Sequence, residues 1–179
     1  MWALGQCGKH GTDHAQILAE ADTLRHILSC MLHEDSSEDL RLKSKRALKA
    51  ILAYCQHLPA LQPLLSVSPI PIQRAILARY CEVIPHDQTQ RRELVATGGL
   101  KTIQSLDRSD PEIEELVQRI NTNFPREVVE YCSPDFEKTL MKRVEEQPVA
   151  AQLSSQRENG HESAVEEEET AEDSTAHAS

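Results

Sequence analysis

The sequence is poor in aromatic residues and in glycine. Aromatic side chains make up 3 % of the 179 residues, and the chain has 6 glycines. Sandwiches and barrels need many tight turns and strands rich in aromatic residues, so both shortages disfavour these folds. No stretch alternates between apolar and polar residues as a half-buried strand does. The interior must be filled by Leu, Ile, Val and Ala, which indicates helices packed on helices.

Other absent signals narrow the class of protein further. The 5 cysteines are odd in number, and no pair has C-x-x-C spacing, so we expect reduced, structural thiols in a cytosolic protein. The N-terminus has neither a basic lead nor a long apolar run, and we expect no signal peptide. No stretch approaches the roughly 20 apolar residues of a membrane span.

Charge divides the chain into two parts. The formal net charge is −10, but residues 148–179 contain eight acidic residues and only one basic residue, Arg157. The part before residue 148 is only mildly acidic and lacks the basic footprint of a nucleic-acid binder. Because the last part is rich in Gln, Ser and Glu, it has little apolar surface to bury. We therefore predict a helical domain over 1–147 and a disordered acidic tail over 148–179.

Apolar spacing and capping residues predict the main helices. Leu40, Ala47, Leu48 and Ile51 recur at helical spacing after a serine and acidic start, which predicts a helix over about 37–57. A second helix is predicted over about 70–84. Later helices are predicted to begin at prolines and to cover about 110–123, a short stretch after 125, and about 133–146.

The chain also repeats itself. His10, His57 and His86 are each followed eight residues later by a leucine, and His10 and His86 by a second leucine after fourteen residues. The histidines are 47 and 29 residues apart. The pattern predicts a long helix closed by the histidine, a short helix, a tight turn and another helix, with one helix lost from the middle copy. A period of about 40–47 residues is typical of armadillo and HEAT arrays.

Short segments follow one another in a specific order along the chain. They include WALGQ at 2–6, SSEDL at 36–40, LPAL at 58–61, PHD at 85–87, GGLK at 98–101 and SP at 133–134. Over about residues 2–147 their order and spacing resemble the C-terminal end of the sperm-associated antigen six family. These are armadillo-repeat proteins of the ciliary central apparatus.

The resemblance implies an all-α, armadillo-type α-solenoid that acts as a structural scaffold in the axoneme of cilia and flagella. Other axonemal proteins, with tubulin as a candidate, and further copies of the chain are the implied partners, and no cofactor is implied. Because the family carries a long array before this region, the chain is expected to begin within a repeat. We therefore expect an exposed apolar stacking edge around Trp2, Leu4, Ile17 and Leu28.

A basic ladder marks the helix predicted over 37–57. Arg41, Lys45 and Lys49 recur every four residues, away from the apolar side of this helix. In an armadillo array the third helix lines the concave surface, so the ladder is a candidate site for an acidic partner such as the C-terminal tails of tubulin. The alternative is a solvated face balanced by Glu38 and Asp39.

No residues predict catalysis, a metal site or a cofactor site. Gly5-x-x-Gly8-Lys9 lacks the glycine spacing and the Ser or Thr of a phosphate-binding loop. His10 and His14 have no evident third ligand, and Cys7 has no orienting partner for nucleophilic chemistry. Gly98 and Gly99 are predicted to form a structural turn that needs a left-handed residue.

Three classes of function remain open. An axonemal scaffold that mediates protein–protein contacts needed for motility is favoured. A soluble armadillo-type adaptor that captures peptides in signalling or transport is the alternative, although the sequence lacks a regular ladder of Trp and Asn. An enzyme with a site between helices is the least favoured class.

Overall fold

The computed structural model describes residues 1–146, and all regular elements in this range are helices. They are α1 (Trp2–Lys9), α2 (Thr12–Glu20), α3 (Thr23–Leu32), α4 (Glu38–Leu52), α5 (Leu58–Leu65), α6 (Ile70–Val83), α7 (Gln88–Ala96), α8 (Gly99–Gln104), α9 (Pro111–Asn121), α10 (Arg126–Cys132) and α11 (Phe136–Glu146). None of these helices is long and apolar enough to cross a bilayer. The predicted all-α, solenoid-type fold is confirmed.

Residues 1–136 form one compact unit, and α11 begins at its end. Helix α11 carries Leu140, Met141 and Val144 as exposed apolar side chains. The predicted tail over 148–179 lies outside the described residues. The boundary placed at residue 147 therefore stays a prediction.

Side-chain caps fix several helix starts where the sequence predicted them. Ser37 caps α4, and its hydroxyl accepts a hydrogen bond from the backbone N–H of Leu40 at 3.2 Å. Asp110 caps α9 ahead of Pro111 and accepts from the backbone N–H groups of Glu112 and Ile113. Such caps satisfy backbone donors that have no partner within the helix.

Helix α4 is shorter than predicted and ends at Leu52 rather than near His57. The Nε of Arg79, on α6, donates to the backbone carbonyl of Cys55 at 2.5 Å. This carbonyl is thus satisfied by a neighbouring helix. His57 also does not close a helix as expected but lies at the N-terminal cap position of α5, ahead of Pro59, which is favoured near a helix start.

A row of helices organises the compact unit: α1 packs on α4, α4 on α6, and α6 on α9. Helices α4, α6 and α9 each contribute an apolar stripe at helical spacing, and burial of one such Leu or Ile side chain stabilises the fold by about 1.5–3 kcal/mol. The stripes are Ala47, Leu48, Ile51 and Leu52 on α4, Ile72, Ile76, Leu77 and Tyr80 on α6, and Ile113, Leu116, Val117 and Ile120 on α9.

The repeat predicted from the histidine and leucine spacing is visible in the order of helices. Three helices, α2 to α4, lie between His10 and His57, and only α5 and α6 lie between His57 and His86. The middle unit has thus lost a helix, as predicted.

The remaining two helices of the middle unit are joined by a buried hydrogen bond. The fully buried Tyr80 hydroxyl donates to the carbonyl of Leu58 at 3.1 Å, and burial raises the pKa of Tyr80.

An ion-pair cluster also joins α6 to α9. The Arg74 guanidinium bonds both oxygens of Asp110 and lies 2.6 Å from the carboxylate of Glu112. Its hydrogen bonds hold the pKa of the Asp110 carboxyl below its usual range. Because Asp110 also caps α9, one carboxylate fixes both the start of that helix and its attachment to α6.

Two left-handed residues occupy equivalent turns of the first and last copies of the repeat. Asp22 has φ 55° and Gly98 has φ 75°, and each lies twelve residues after its histidine and directly before a helix. Gly99 has no positive φ. A Cβ at Gly99 would instead collide with the side chains of Leu94 and Gln62.

We expect Gly98→Val to lower the free energy of unfolding by about 1–2 kcal/mol or more, because a β-branched residue is strained at positive φ. Asp22→Gly is the matched control at the equivalent turn, and it should change the value by less than about 0.5 kcal/mol. Urea unfolding of both variants at 25 °C measures the difference. Equal stability of Gly98→Val and the unaltered chain would refute the role assigned to this turn.

Candidate partner-binding site

Two glycines bring α1 unusually close to α4. A Cβ on Gly5 would lie 3.0 Å from the Cα of Ala47, and a Cβ on Gly8 would lie 2.6 Å from Cγ1 of Ile51. The two glycines face positions one turn apart on α4, so the helices meet along more than one turn. The Gly-x-x-Gly pattern that is unfit for phosphate binding therefore serves close helix packing.

A groove of about 290 Å³ follows this contact on the protein surface. We call it the α1–α4 groove. Its lining residues are Trp2, Gly5, Gln6 and Lys9 of α1, and Lys43, Arg46, Ala47 and Ala50 of α4. The groove thus has a floor of small residues, a basic wall on each helix and an exposed indole at one side.

The charges of the α1–α4 groove are only partly compensated. Lys43 pairs with Asp39 on its own helix at 2.7 Å. Lys9 and Arg46 form no ion pair among residues 1–146, and no acidic side chain in that range lines the groove. An anion placed here would meet uncompensated positive charge from both walls.

The predicted basic ladder does not form one uniform surface. Arg41 bonds the backbone carbonyls of His33 and Glu34, at 3.0 and 2.7 Å, and so covers the C-terminal end of α3. Lys45 lines a different groove, on the α6 side of α4, and Lys49 is exposed to solvent. Lys45 and Lys49 remain candidates for contacting a partner, whereas Arg41 has a structural partner already.

The groove on the α6 side of α4 is more apolar. It has a volume of about 360 Å³ and is lined by Met31, Leu32, Glu38, Arg41, Leu42, Lys45, Pro69, Pro71 and Ile72. Leu32 and Leu42 are exposed. Helix α4 therefore separates a basic groove from a largely apolar one, because its 3.6-residue period turns successive side chains to different sides.

The predicted apolar edge at the N-terminus is smaller than expected. Trp2 is 73 % exposed and Ile17 is 63 % exposed, but Leu4 is half-buried against the core. Leu28 is 3 % exposed, so its predicted place at the edge is wrong. It belongs to the α3 stripe of Leu24, Ile27, Leu28 and Met31, which α4 covers.

The cysteines and histidines form no assembled reactive site within residues 1–146. Cys55, Cys81 and Cys132 are buried, and burial raises the pKa of each thiol, which disfavours the reactive thiolate. The His10 and His14 rings lie 6.0 Å apart. No group of three or more His, Cys, Asp or Glu side chains in this range is arranged to hold a metal ion.

The stacked row, the repeated turns and the surface grooves define a helical-repeat protein of the α-solenoid class. The chain is similar to sperm-associated antigen 6 of mouse (Mus musculus) and of human (Homo sapiens), with 42 % identity to each over 146 residues. That stretch is 80 % of this chain, and the resemblance predicted from the sequence is confirmed. No family model matches the chain.

The chain spans less than a third of the length of these relatives. The aligned stretch covers 29 % of the mouse protein and 28 % of the human protein. What those whole proteins do can therefore be carried to this chain only as a proposal.

The close approach of α1 to α4 predicts an unusual response to Gly8→Ala. Alanine normally stabilises a helix relative to glycine by about 0.8–1.0 kcal/mol, but the added Cβ would overpack Ile51, which costs about 1–3 kcal/mol. We expect a net loss of stability in urea unfolding. Gln6→Ala, at an exposed position of the same helix, is the control and should not destabilise. A more stable Gly8→Ala variant would contradict the packing described.

The bonds of Arg41 predict that Arg41→Gln lowers the free energy of unfolding by about 1 kcal/mol, because the carbonyls of His33 and Glu34 lose a charged donor. The control is Arg46→Gln, which makes the same substitution elsewhere on α4, at an arginine whose side chain does not bond a backbone carbonyl of residues 1–146. We expect it to change the free energy of unfolding by less than about 0.5 kcal/mol. Thermal unfolding of the two variants side by side provides the measurement. Equal effects would show that the Arg41 bonds contribute nothing to stability.

Proposed function

We propose that this chain is a structural scaffold of the axonemal central apparatus, where it mediates protein–protein contacts needed for ciliary and flagellar motility. The observation that carries the proposal is the 42 % identity to sperm-associated antigen 6 over four fifths of the chain. The name of those relatives associates them with sperm, cells that swim by means of a flagellum.

The exposed surface of the repeat unit supports a role in binding other proteins. Helix α4 has a basic groove on one side and a largely apolar groove on the other. Apolar surface bordered by charged side chains is typical of protein-interaction sites. The helices that build this surface are buried on their other faces, so partners would meet a preformed platform.

Several kinds of partner fit the proposal. Lys45 and Lys49 are candidate contacts for acidic segments of other axonemal proteins, and the acidic C-terminal tails of tubulin are one possibility. Trp2 and Ile17 are candidate contacts for another copy of the chain or for further repeats, because both expose large apolar side chains. The role needs no cofactor and no catalytic residue.

The scaffold function predicts stable retention on the axoneme. The chain, tagged and expressed in cells with motile cilia, should remain on axonemes after detergent extraction, and electron microscopy with a tag-directed label should place it at the central microtubules. Since exposed charges contribute to the contact, Lys45→Glu with Lys49→Glu should be released at lower salt than the unaltered chain. Arg92→Glu with Lys101→Glu makes the same change in net charge on other helices and is the matched control.

If detergent extracts the unaltered chain into the soluble fraction, the scaffold proposal is refuted and the soluble adaptor is favoured. A label confined to the outer doublet microtubules would contradict the central location alone. If the variant with Lys45→Glu and Lys49→Glu and its control are both released at the same salt concentration as the unaltered chain, Lys45 and Lys49 are not contact residues.

A further inference from the structure

We infer that the α1–α4 groove binds a glutamate- or aspartate-rich peptide segment of a partner protein in extended form. The inference rests on the proposed scaffold function and names the chemistry of one partner contact. It differs from the basic ladder of Arg41, Lys45 and Lys49, because the structure assembles this site from two helices and from other residues.

The first argument is the charge of the walls. Lys9 on α1 and Lys43 and Arg46 on α4 line one groove of about 290 Å³. Only Lys43 has an acidic partner among residues 1–146, namely Asp39. Like charges gathered around one cavity repel one another, and a bound carboxylate would relieve this repulsion while gaining charge-assisted hydrogen bonds.

The second argument is the shape of the floor. Gly5 and Ala47 lie at the contact between the two helices, and neither projects a long side chain into the groove. Helix α1 has 8 residues and is about 12 Å long, so the groove accommodates about four residues of an extended chain at roughly 3.3 Å per residue. Alternate side chains of such a segment can point to opposite walls.

The third argument is the indole of Trp2. It lines the same groove and remains 73 % exposed. A large, rigid apolar surface beside cations is a typical anchor for a peptide, because it offers contact area at a small entropic cost. Trp2 therefore gives the groove a contact for the backbone or the apolar side chains that accompany the acidic residues.

A peptide fits the surroundings better than a nucleic acid. The whole chain has a formal net charge of −10, and most of the excess acid lies outside the described residues. Among residues 1–146, the basic side chains that line the groove are Lys9, Lys43 and Arg46, and Trp2 is the one tryptophan of the sequence. A phosphate backbone carries charge over a long surface, whereas this site offers a short, local cluster.

Binding of a labelled octaglutamate peptide to the full chain tests the inference. Fluorescence anisotropy gives the Kd, and the emission of Trp2 reports whether the peptide occupies this groove, since the chain has 1 tryptophan. We expect Lys9→Gln with Arg46→Gln to weaken binding about tenfold, because two rim charges are lost. The control, Arg92→Gln with Lys101→Gln, also removes one arginine and one lysine near a helix end, and it should bind as the unaltered chain does.

Several outcomes would overturn the inference. These are no binding at 50 mM salt, unchanged Trp2 emission on binding, or equal weakening in the two pairs of variants. Tighter binding of an oligonucleotide with the same number of charges would assign the groove to nucleic acid instead. Circular dichroism must show the same helix content in both pairs, and Lys9→Arg with Arg46→Lys should restore the affinity if charge is the cause.

The result is separable from the test of the scaffold function. If the chain is retained on axonemes but its Kd for octaglutamate does not change when Lys9 and Arg46 are replaced, the inferred binding site is refuted and the scaffold function is not. Groove-specific peptide binding by a chain that leaves with the soluble fraction would refute the scaffold function alone.

Discussion

The helices α4, α6 and α9 can bury their apolar stripes only against neighbouring helices, and the rest of the described structure depends on this constraint. Helix α4, for example, contacts α1, α3 and α6, and its apolar stripe is buried among them. Stability is therefore distributed along the row as a series of neighbour contacts, which is the energetic logic of repeat proteins. The contacts differ in kind: small residues join α1 to α4, whereas the Arg74 ion pairs reinforce the packing of α6 on α9.

The turns show that equivalent positions in a repeat can meet the same backbone demand with different residues. Asp22 and Gly98 both have positive φ and both precede the second helix of their copy. Aspartate tolerates the left-handed region better than most residues do, and glycine adopts it without steric cost. The geometry of the turn is thus retained while its sequence differs. A comparison based on the histidine and leucine spacing still aligns the two turns.

Much of the fold was predictable because its signals are local. The start of α4 at Ser37, the start of α9 at Asp110 and the missing helix of the middle copy follow from caps, prolines and spacing. The errors concern contacts between helices. Beyond the end of α4, Arg79 of α6 bonds the carbonyl of Cys55, and the burial of Leu28 depends on which face α4 covers. Neither the periodicity of a single helix nor its capping residues contain that information.

The candidate site was less predictable for the same reason. The sequence indicated a basic side on α4, but it did not show that Arg41 is bound to the end of α3 or that Lys9 of α1 faces Lys43 and Arg46. That meeting follows from Gly5 and Gly8, which reduce the separation of α1 and α4 and thereby bring their basic side chains to one groove. Larger residues at the two glycines would move the walls apart and weaken the field between them. The residues that tighten the packing of the repeat thus also concentrate its positive charge, so the stability of the fold and the electrostatics of the groove are set by the same contact.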